Sequence, residues 1–288
     1  MERKMQQSDD NHVIPMTSIS SGKGREVKPD IYYYTNQIVN LIFVDTPQVG
    51  RWVLVDAGMP KSGSEIIDAA EKRYGKGARP EAIILTHGHF DHIGSIVHLL
   101  EHWGNIPVYA HTLEFPYLTG KMAYPEPDPT VEGGMLAKIS KFYPHEPIDI
   151  TKVLLPLPVD GSVPALPDWN WIHTPGHSPG HVSFFRDSDR VLLAGDAFVT
   201  VRQDSLYKVL MQKEEVHGPP RYLTTDWPAA KTSVATLEAL RPALVITGHG
   251  THMEGSELAA GLKNLVANFD TLALPDYGKY VNGRAGNE

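Results

Sequence analysis

The sequence predicts an α/β protein, a four-layer αββα sandwich in which two sheets pack face to face with helices outside. Short runs of branched and aromatic residues between turn signals predict strands, and they fall into two groups along the chain. Segments with apolar residues at helical spacing follow each group. Two sets of strands, each followed by helices, favour two sheet layers that are covered by helices.

The first half of the chain supplies the first set of elements. Two of its strands are separated by the turn-forming segment 46–50, which predicts a hairpin. The spacing of Ile66, Ala70 and Tyr74 predicts a helix. The predicted strands are 13–19, 37–44, 52–55, 82–85 and 107–110, and the predicted helices are 64–74 and the segment after His92.

The second half repeats the alternation, with an aromatic and proline-rich insertion near 115–150 and another insertion near 201–226. The first insertion lies between two segments that carry candidate ligands, and we expect it to shape a substrate pocket. The predicted strands are 151–157, 170–173, 181–186, 190–194 and 243–247, and the predicted helices are 135–142, 229–240 and 254–269.

The domain organisation that follows is one large domain with two flanking segments. The domain is expected to span 29–275 and to contain both insertions. The polar segment 1–28 is expected to have a loosely ordered first dozen residues, with Lys23 to Lys28 as a solvated linker. The last part of the chain, 276–288, is expected to be a C-terminal tail.

Composition narrows the classes of function. The chain has no cysteine, which excludes disulfides, thiolate metal ligands and a cysteine nucleophile, so any metal must take nitrogen and oxygen ligands. The net charge of −8 argues against a nucleic-acid partner, because such partners need many Lys and Arg contacts to phosphate. No apolar stretch approaches the roughly 20 residues that span a bilayer. The first residues are polar where a secretion signal needs an apolar core, so we expect a cytoplasmic protein without membrane partners.

The most informative segment is the run from Thr86 to His92, which packs three imidazoles and a carboxylate into six consecutive positions. It follows a short apolar strand and precedes a helical pattern, so a rigid sheet edge can aim several side chains at one point. Histidine is the commonest ligand for borderline metals. The run therefore predicts a metal site.

Three later segments have the same design, a short apolar strand that ends in Gly or Pro and a candidate ligand. They are 173–181, 193–196 and 246–250, which contain His177, Asp196 and His249. Glycine suits such turns because it allows unusual backbone angles and close approach. Each segment is a weak signal alone, but in this order they support one another.

Together these motifs resemble the metallo-β-lactamase fold superfamily, in particular its glyoxalase II-like hydrolase branch. The resemblance spans roughly 37–265 and also includes the Val55-Asp56-Ala57-Gly58 segment. It implies an αββα sandwich with a two-metal site on its edge. The implied ligands are His87, His89 and His177 for one ion, Asp91, His92 and His249 for the other, Asp196 as a bridge, and Asp56 as support for a ligand.

The donor set also suggests chemistry directly. Seven nitrogen and oxygen ligands suit two divalent ions, for which zinc, manganese and iron all fit, with zinc preferred. Coordination lowers the pKa of water from 15.7 towards about 7. We expect a metal-bridging hydroxide to attack the carbonyl of a small ester, lactone or thioester, with Asp91 taking or guiding a proton. By location, the candidate general acids are Tyr207, His217 and Tyr222, whereas His181 is expected to be structural and His173 stays undecided.

Single residues distinguish this sequence from several enzymes of the metallo-β-lactamase fold superfamily with other activities. The best-known β-lactamases place a cysteine where Asp196 stands, and quorum-quenching lactonases carry a tyrosine where Val199 stands. The helical C-terminal domain of glyoxalase II enzymes is not recognisable here. The strongest rival is a persulfide dioxygenase with a single iron held by His87, His177 and Asp196. A structural metal site is a third alternative, although such sites usually use four ligands. The oligomeric state stays open, and a homodimer is compatible with the sequence.

Overall fold

Two mixed sheets carry most of the regular structure of the chain. The computed structural model describes residues 4–201 and 214–281. The chain divides into two compact units, Met1–Tyr124 with Pro144–Pro167 as unit 1 and Pro125–Tyr143 with Asp168–Glu288 as unit 2. In the described residues, no helix is long and apolar enough to cross a membrane.

Unit 1 contains a seven-stranded sheet whose spatial order follows the chain. The first four strands pair antiparallel, and the last four pair parallel. The strands are β1 (Lys23–Lys28), β2 (Ile31–Asn36), β3 (Val39–Asp45), β4 (Trp52–Val55), β5 (Ile83–Ile84), β6 (Val108–Ala110) and β7 (Leu154–Pro156). The helices are α1 (Gly63–Tyr74), α2 (Phe90–Ile93), α3 (Ile96–Trp103) and α4 (Phe115–Leu118), with a 3₁₀ turn at Thr112–Glu114.

The core of unit 1 forms where α1 and α3 cover one face of this sheet. Their apolar residues recur at helical spacing, so one stripe of each helix faces the strands. Trp52 stacks on Tyr74 with ring centroids 4.6 Å apart and on Phe43 at 5.3 Å. This core fixes the ends of β4 and β5, from which the first candidate ligands emerge.

The second sheet has six strands in the spatial order β15-β14-β11-β10-β9-β8. The division between the units falls at Pro167, inside β9. The strands are β8 (Ser162–Val163), β9 (Leu166–His173), β10 (Val182–Arg186), β11 (Val191–Gly195), β14 (Leu244–Thr247) and β15 (Met253–Glu254), and a separate pair is formed by β12 (Val199–Val201) and β13 (Glu214–His217). The helices of unit 2 are α5 (Gly134–Ile139), α6 (Trp227–Ala239), α7 (Gly255–Ala267) and α8 (Phe269–Leu272), with a 3₁₀ turn at Ser140–Phe142.

The core of unit 2 forms between this sheet and the helices α6 and α7. Leu192 and Val245 lie on the neighbouring strands β11 and β14 and are fully buried. Leu237 and Leu262 are buried on the helices that cover them. The strongly periodic elements predicted from sequence are therefore present, with ends displaced by a few residues.

The predicted strand 13–19 is wrong, because no strand forms between Asn11 and Ser18. Ile14, Met16 and Ser18 are alternately buried, as in a strand. However, Pro15 has no N–H to donate, and the amide of Met16 donates to Ile14 in a tight turn. The alternation that predicted a strand belongs to an irregular segment that pairs with no strand in the described residues.

Two predictions for the polar N-terminal segment are also wrong. Lys23–Lys28, expected to be a solvated linker, is the edge strand β1, whose charged side chains are exposed as edge strands often require. The first dozen residues, expected to be loosely ordered, include several that are hydrogen-bonded to the rest of unit 1. Gln6 and Asp149 exchange backbone hydrogen bonds, and the carboxylate of Asp10 accepts from the amide of His145 at 2.7 Å.

The end of α8 is joined to the first insertion by Arg221, which is buried within unit 2. Its guanidinium donates to the carbonyls of Leu272 and Ala273 at the end of α8. The same group donates to the carbonyl of Glu132 and forms an ion pair with its carboxylate at 3.2 Å. One planar cation therefore holds three chain segments together.

We expect Arg221→Lys to lower the free energy of unfolding by about 2–3 kcal/mol, because an ammonium cannot reproduce the planar fork of donors and leaves buried carbonyls unsatisfied. Urea unfolding checks this value. The matched control is Arg51→Lys, which alters an exposed ion pair with Glu81 and is expected to change stability by less than about 1 kcal/mol. Equal effects of the two substitutions would contradict the role given to Arg221.

Candidate metal centre

In unit 1, two neighbouring parallel strands bring their ends together at one edge of the sheet. β4 pairs with β5 through Leu54 and Ile83 and through Val55 and Ile84. Asp56 therefore follows one strand beside Thr86, which lies just beyond the other. Asp56 has a φ of +63°, a conformation that few residues other than glycine adopt and that Asp tolerates better than most. The backbone there turns the carboxylate towards Thr86.

Asp56 is buried and its carboxylate collects three contacts. Oδ1 accepts from the amide of Thr86 at 2.8 Å. Oδ2 accepts from Thr86 Oγ1 at 2.8 Å and lies 2.8 Å from His92 Nδ1. The predicted contact of Asp56 with a candidate ligand is therefore present, and that ligand is His92.

These contacts determine which ring nitrogen carries the hydrogen in two histidines. An ionised carboxylate only accepts hydrogen bonds, so His92 donates from Nδ1. The single hydrogen of Thr86 Oγ1 is given to Asp56, so Thr86 accepts from His87 Nδ1, which lies 3.0 Å away. Both rings therefore present Nε2 as their lone-pair nitrogen, the atom that would bind a metal.

The other candidate ligands of unit 1 lie on the same turn. His89 precedes α2, with an extended ψ of 154°, and Asp91 lies in the first turn of that helix. The ring centroid of His87 lies 4.7 Å from that of His89 and 4.2 Å from that of His92. Asp91 Oδ2 lies 3.9 Å from His92 Nε2. All four side chains are buried, so unit 1 brings its predicted ligands together.

Unit 2 uses the same arrangement of parallel strand ends. β11 and β14 pair side by side, and Asp196 and His249 follow them closely. The amide of Gly248 donates to the carbonyl of Gly195 at 2.8 Å, which extends the pairing to the ligand segments. The carbonyl of His249 accepts from Thr247 Oγ1 at 2.6 Å. The backbone of both candidate ligands is therefore held at one sheet edge.

His177 reaches this edge from the loop after β9. Gly176 has a φ of +129°, and a Cβ there would lie 2.3 Å from the amide nitrogen of Ala230 in α6, so only glycine fits. His177 Nδ1 lies 3.0 Å from Thr224 Oγ1, which gives its own hydrogen to the carbonyl of Pro220 at 2.8 Å. His177 therefore donates from Nδ1 and, like His87, presents Nε2.

The three candidate ligands of unit 2 meet around one carboxylate oxygen. Asp196 Oδ2 lies 3.4 Å from His177 Nε2 and 3.3 Å from His249 Nε2. These distances exceed the usual 2.7–3.2 Å of an N–H···O hydrogen bond. Two ligand atoms at tetrahedral angles, each about 2.0–2.2 Å from one zinc ion, lie about 3.3 Å apart. Each of these two separations therefore fits a pair of ligand atoms on one divalent cation.

The other two histidines of the 173–181 segment are not part of this cluster. His181 Nε2 accepts from the amide of Asp196 at 2.9 Å, and its Nδ1 contacts Thr174 Oγ1. His181 thus orients the backbone of Asp196, in agreement with the structural role expected from sequence. His173 is exposed and its Nε2 contacts the carbonyl of Pro179.

The predicted general acids have different positions. His217 is buried in β13, directly opposite Val199 of β12. The ring of Tyr222 packs against that of Tyr143 at 5.5 Å. Tyr207 lies outside the described residues.

Most of the residues that orient the candidate ligands were not recognisable from the sequence. Thr86 adjoins His87 and could have been suspected, since a hydroxyl beside a ligand is a common partner for its second nitrogen. Thr224 lies 47 residues from His177 and carries no motif. Glu114 and Tyr124, which contact the turn between His87 and His89, also have no sequence signal.

The chain matches one protein family over most of its length. The model of the metallo-beta-lactamase superfamily matches residues 34–249. "Probable metallo-hydrolase YflN" of Bacillus subtilis strain 168 is 47% identical over 260 residues, which cover 90% of this chain and 98% of that protein. A hydroxyacylglutathione hydrolase of Xylella fastidiosa strain M12 is 44% identical over 75 residues, only 26% of this chain and 25% of its own.

Solved structures show the same likeness. The metallo-beta-lactamase family protein TTHA1429 from Thermus thermophilus matches 85% of this chain and 81% of its own, with a TM-score of 0.57 and 20% identity. TTHA1623 in a di-iron-bound form matches 81% of this chain and 94% of its own, with a TM-score of 0.50 and 27% identity. The predicted fold class is confirmed.

We expect ring nitrogen NMR of the metal-free protein to show hydrogen on Nδ1 of His87, His92 and His177. Asp56→Asn should disturb the first two and leave His177 unchanged, because an amide cannot accept at both of its positions. The matched control is Asp149→Asn, since Asp149 accepts from the amide and hydroxyl of Thr151 just as Asp56 does from Thr86. Unchanged His87 and His92 signals in Asp56→Asn would contradict the deduced network.

Proposed function

Because the chain belongs to the metallo-beta-lactamase superfamily, we propose that it is a binuclear metal-dependent hydrolase of a small ester, lactone or thioester. The 47% identical relative is named a probable metallo-hydrolase and matches this chain over nearly its whole length. Groups of buried histidine and aspartate side chains, with ligand atoms within 4.8 Å of one another, fit divalent metals. These findings support the general class, and the substrate class is our proposal.

The proposed ligand sets combine side chains from both units. One ion takes His87, His89 and His177, the other takes Asp91, His92 and His249, and Asp196 bridges them. Within unit 1, ligand atoms of His87 and His89, and of Asp91 and His92, lie within 4.8 Å of each other. The di-iron form of TTHA1623 supports two ions in a related chain. We propose zinc as the natural metal, with manganese or iron as alternatives, since nitrogen and carboxylate donors suit all three.

The observation that carries this proposal is the position of Asp196 Oδ2 between two imidazole nitrogens. Both distances, 3.3 and 3.4 Å, are long for hydrogen bonds and match the separation of two ligands of one cation. His177 presents Nε2 because Thr224 accepts from its Nδ1. Burial of a carboxylate beside two buried imidazoles costs free energy unless a cation binds between them.

We propose that the side chains of this site prepare a reaction at a carbonyl. Divalent ions bound there would lower the pKa of water towards about 7 and polarise a carbonyl oxygen. Asp56, Thr86 and Thr224 keep the imidazoles in one tautomer, so the site needs little rearrangement before binding. Asp91 is buried beside His92 with a carboxylate oxygen 3.9 Å from Nε2, and we propose that it takes or guides the proton released in hydrolysis.

We propose this substrate class because of the reaction that such a site favours. Esters, lactones and thioesters share an electrophilic carbonyl that needs no strong acid to release its leaving group. The local match to a hydroxyacylglutathione hydrolase supports a thioester, although it spans only a quarter of each chain. Because Asp196 stands where the best-known β-lactamases have cysteine, a lactam is not our proposal.

We expect a chelator to abolish hydrolysis of a panel of aryl esters, lactones and acyl thioesters, and added zinc to restore it. Asp196→Asn should lower kcat/KM by about 100-fold or more, since it removes the shared carboxylate charge. The control His102→Ala replaces an exposed histidine outside the motifs and should retain activity. Hydrolysis that survives complete removal of the metal, or an active Asp196→Asn protein, would contradict the proposal.

The rival from the sequence analysis, a persulfide dioxygenase with one iron, makes opposite predictions. Metal analysis of the purified protein should give two ions per chain for the hydrolase and one iron for the dioxygenase. Oxygen uptake with an organic persulfide, together with one tightly bound iron, would decide for the rival.

A further inference from the structure

A buried carboxylate lies directly beneath the turn that carries His87 and His89. Glu114, at the end of the 3₁₀ turn Thr112–Glu114, is 0% exposed. Its Oε2 accepts from the amide of Gly88 at 2.9 Å. The same oxygen accepts from the hydroxyl of Tyr124. Gly88 lies between the two histidines, so this carboxylate holds the backbone from which both side chains project.

Tyr124 connects this carboxylate to His89. Its ring lies 4.6 Å from the ring of His89 at an interplanar angle of 60°, and it stacks on Tyr117 at 3.8 Å. Burial, followed by the nearby charge of Glu114, raises the pKa of the Tyr124 hydroxyl well above its ordinary value. The Tyr124 hydroxyl donates to Glu114 Oε2 in the structure.

Gly88 is fitted closely to this pair. A Cβ at this position would lie 2.5 Å from the Tyr124 hydroxyl oxygen and 3.4 Å from Glu114 Oε2. The hydroxyl and the turn therefore approach each other as closely as only glycine permits. Tyr124, in the aromatic insertion, is buried against the histidine turn.

The free-energy cost of burying the Glu114 carboxylate suggests that it has a function at this turn. Burying a carboxylate is unfavourable unless strong donors or a positive charge compensate for lost solvation. The candidate ligands His87 and His92 are already oriented by Thr86 and Asp56. Glu114 and Tyr124 instead act on Gly88 and His89.

We propose that Glu114 and Tyr124 form a positioning pair that holds the His87-Gly88-His89 turn and strengthens binding of the ion that takes His89. The inference rests on the proposed two-metal site. Neither residue is a ligand: Glu114 acts through the Gly88 amide, and Tyr124 acts through the ring of His89. Since the pair faces one ligand turn, its loss should weaken one of the two ions and leave the other unchanged.

The test is a titration of the metal-free, full-length protein with zinc alone, in competition with a chromophoric chelator, which gives the affinity of each ion without any substrate. Glu114→Gln keeps the shape of the side chain and removes its charge, and it should weaken one ion by about 10-fold or more. Tyr124→Phe keeps the ring stacking and removes the donor, and it should weaken the same ion to a smaller extent. The matched control is Tyr117→Phe, which removes a hydroxyl from the stacked neighbour and should bind both ions as the wild type does.

Urea unfolding of each metal-free variant separates positioning from general stability, and Tyr124→Phe carries the test if Glu114→Gln fails to fold. Weakening of one ion by both variants, but not by Tyr117→Phe, would support the inference. Wild-type affinity in both variants, or equal weakening of both ions in step with lost stability, would overturn it. A wild-type protein that binds no zinc would overturn the proposed function as well, so the two failures are distinguishable.

Discussion

The structure depends on a constraint in hydrogen-bond chemistry: a hydroxyl has one hydrogen to give. Thr86 gives its hydrogen to Asp56 and Thr224 gives its hydrogen to Pro220. Each can then only accept from the imidazole beside it, so His87 and His177 both carry hydrogen on Nδ1. Two unrelated segments, one in each unit, therefore fix the tautomer of a histidine through a threonine hydroxyl.

The single hydrogen of each hydroxyl also fixes the tautomer of His181, the histidine with a structural role. Ser183 gives its hydrogen to the carbonyl of Ala194, so Thr174 donates to Ser183 and accepts from His181 Nδ1. His181 therefore presents Nε2 as well, but this nitrogen accepts from the amide of Asp196. The tautomer alone does not make a ligand. The lone pair of Nε2 must also face the other ligand atoms, around the place where an ion would bind, and not a backbone amide.

The placement of these histidines comes from the parallel pairing of strands. Parallel neighbours end at the same sheet edge, so residues that follow β4 and β5, or β11 and β14, lie close together however far apart they are in sequence. The candidate ligands lie in short segments just beyond these strands, and the packed cores hold the strands in place. The rigid sheets therefore fix the positions of the ligand side chains.

The sequence predicted what is local and repeated. Most of the longer strands, the longer helices and the candidate ligands were recognisable because short apolar runs ended in Gly, Pro, His or Asp. The strand β2 was not predicted. The orienting partners were not recognisable, because Thr224 and Glu114 are brought to the histidines only by tertiary structure. The edge strand Lys23–Lys28 was missed for a related reason, since pairing with β2 and not an apolar pattern makes it a strand.

The central claim is tested most directly by a crystal structure of the zinc-loaded protein, with anomalous scattering used to locate the ions. Our account predicts two ions, with His87, His92 and His177 all bound through Nε2 and Asp196 shared between the ions. Binding of any of these three histidines through Nδ1, or an absence of ions among these side chains, would contradict it.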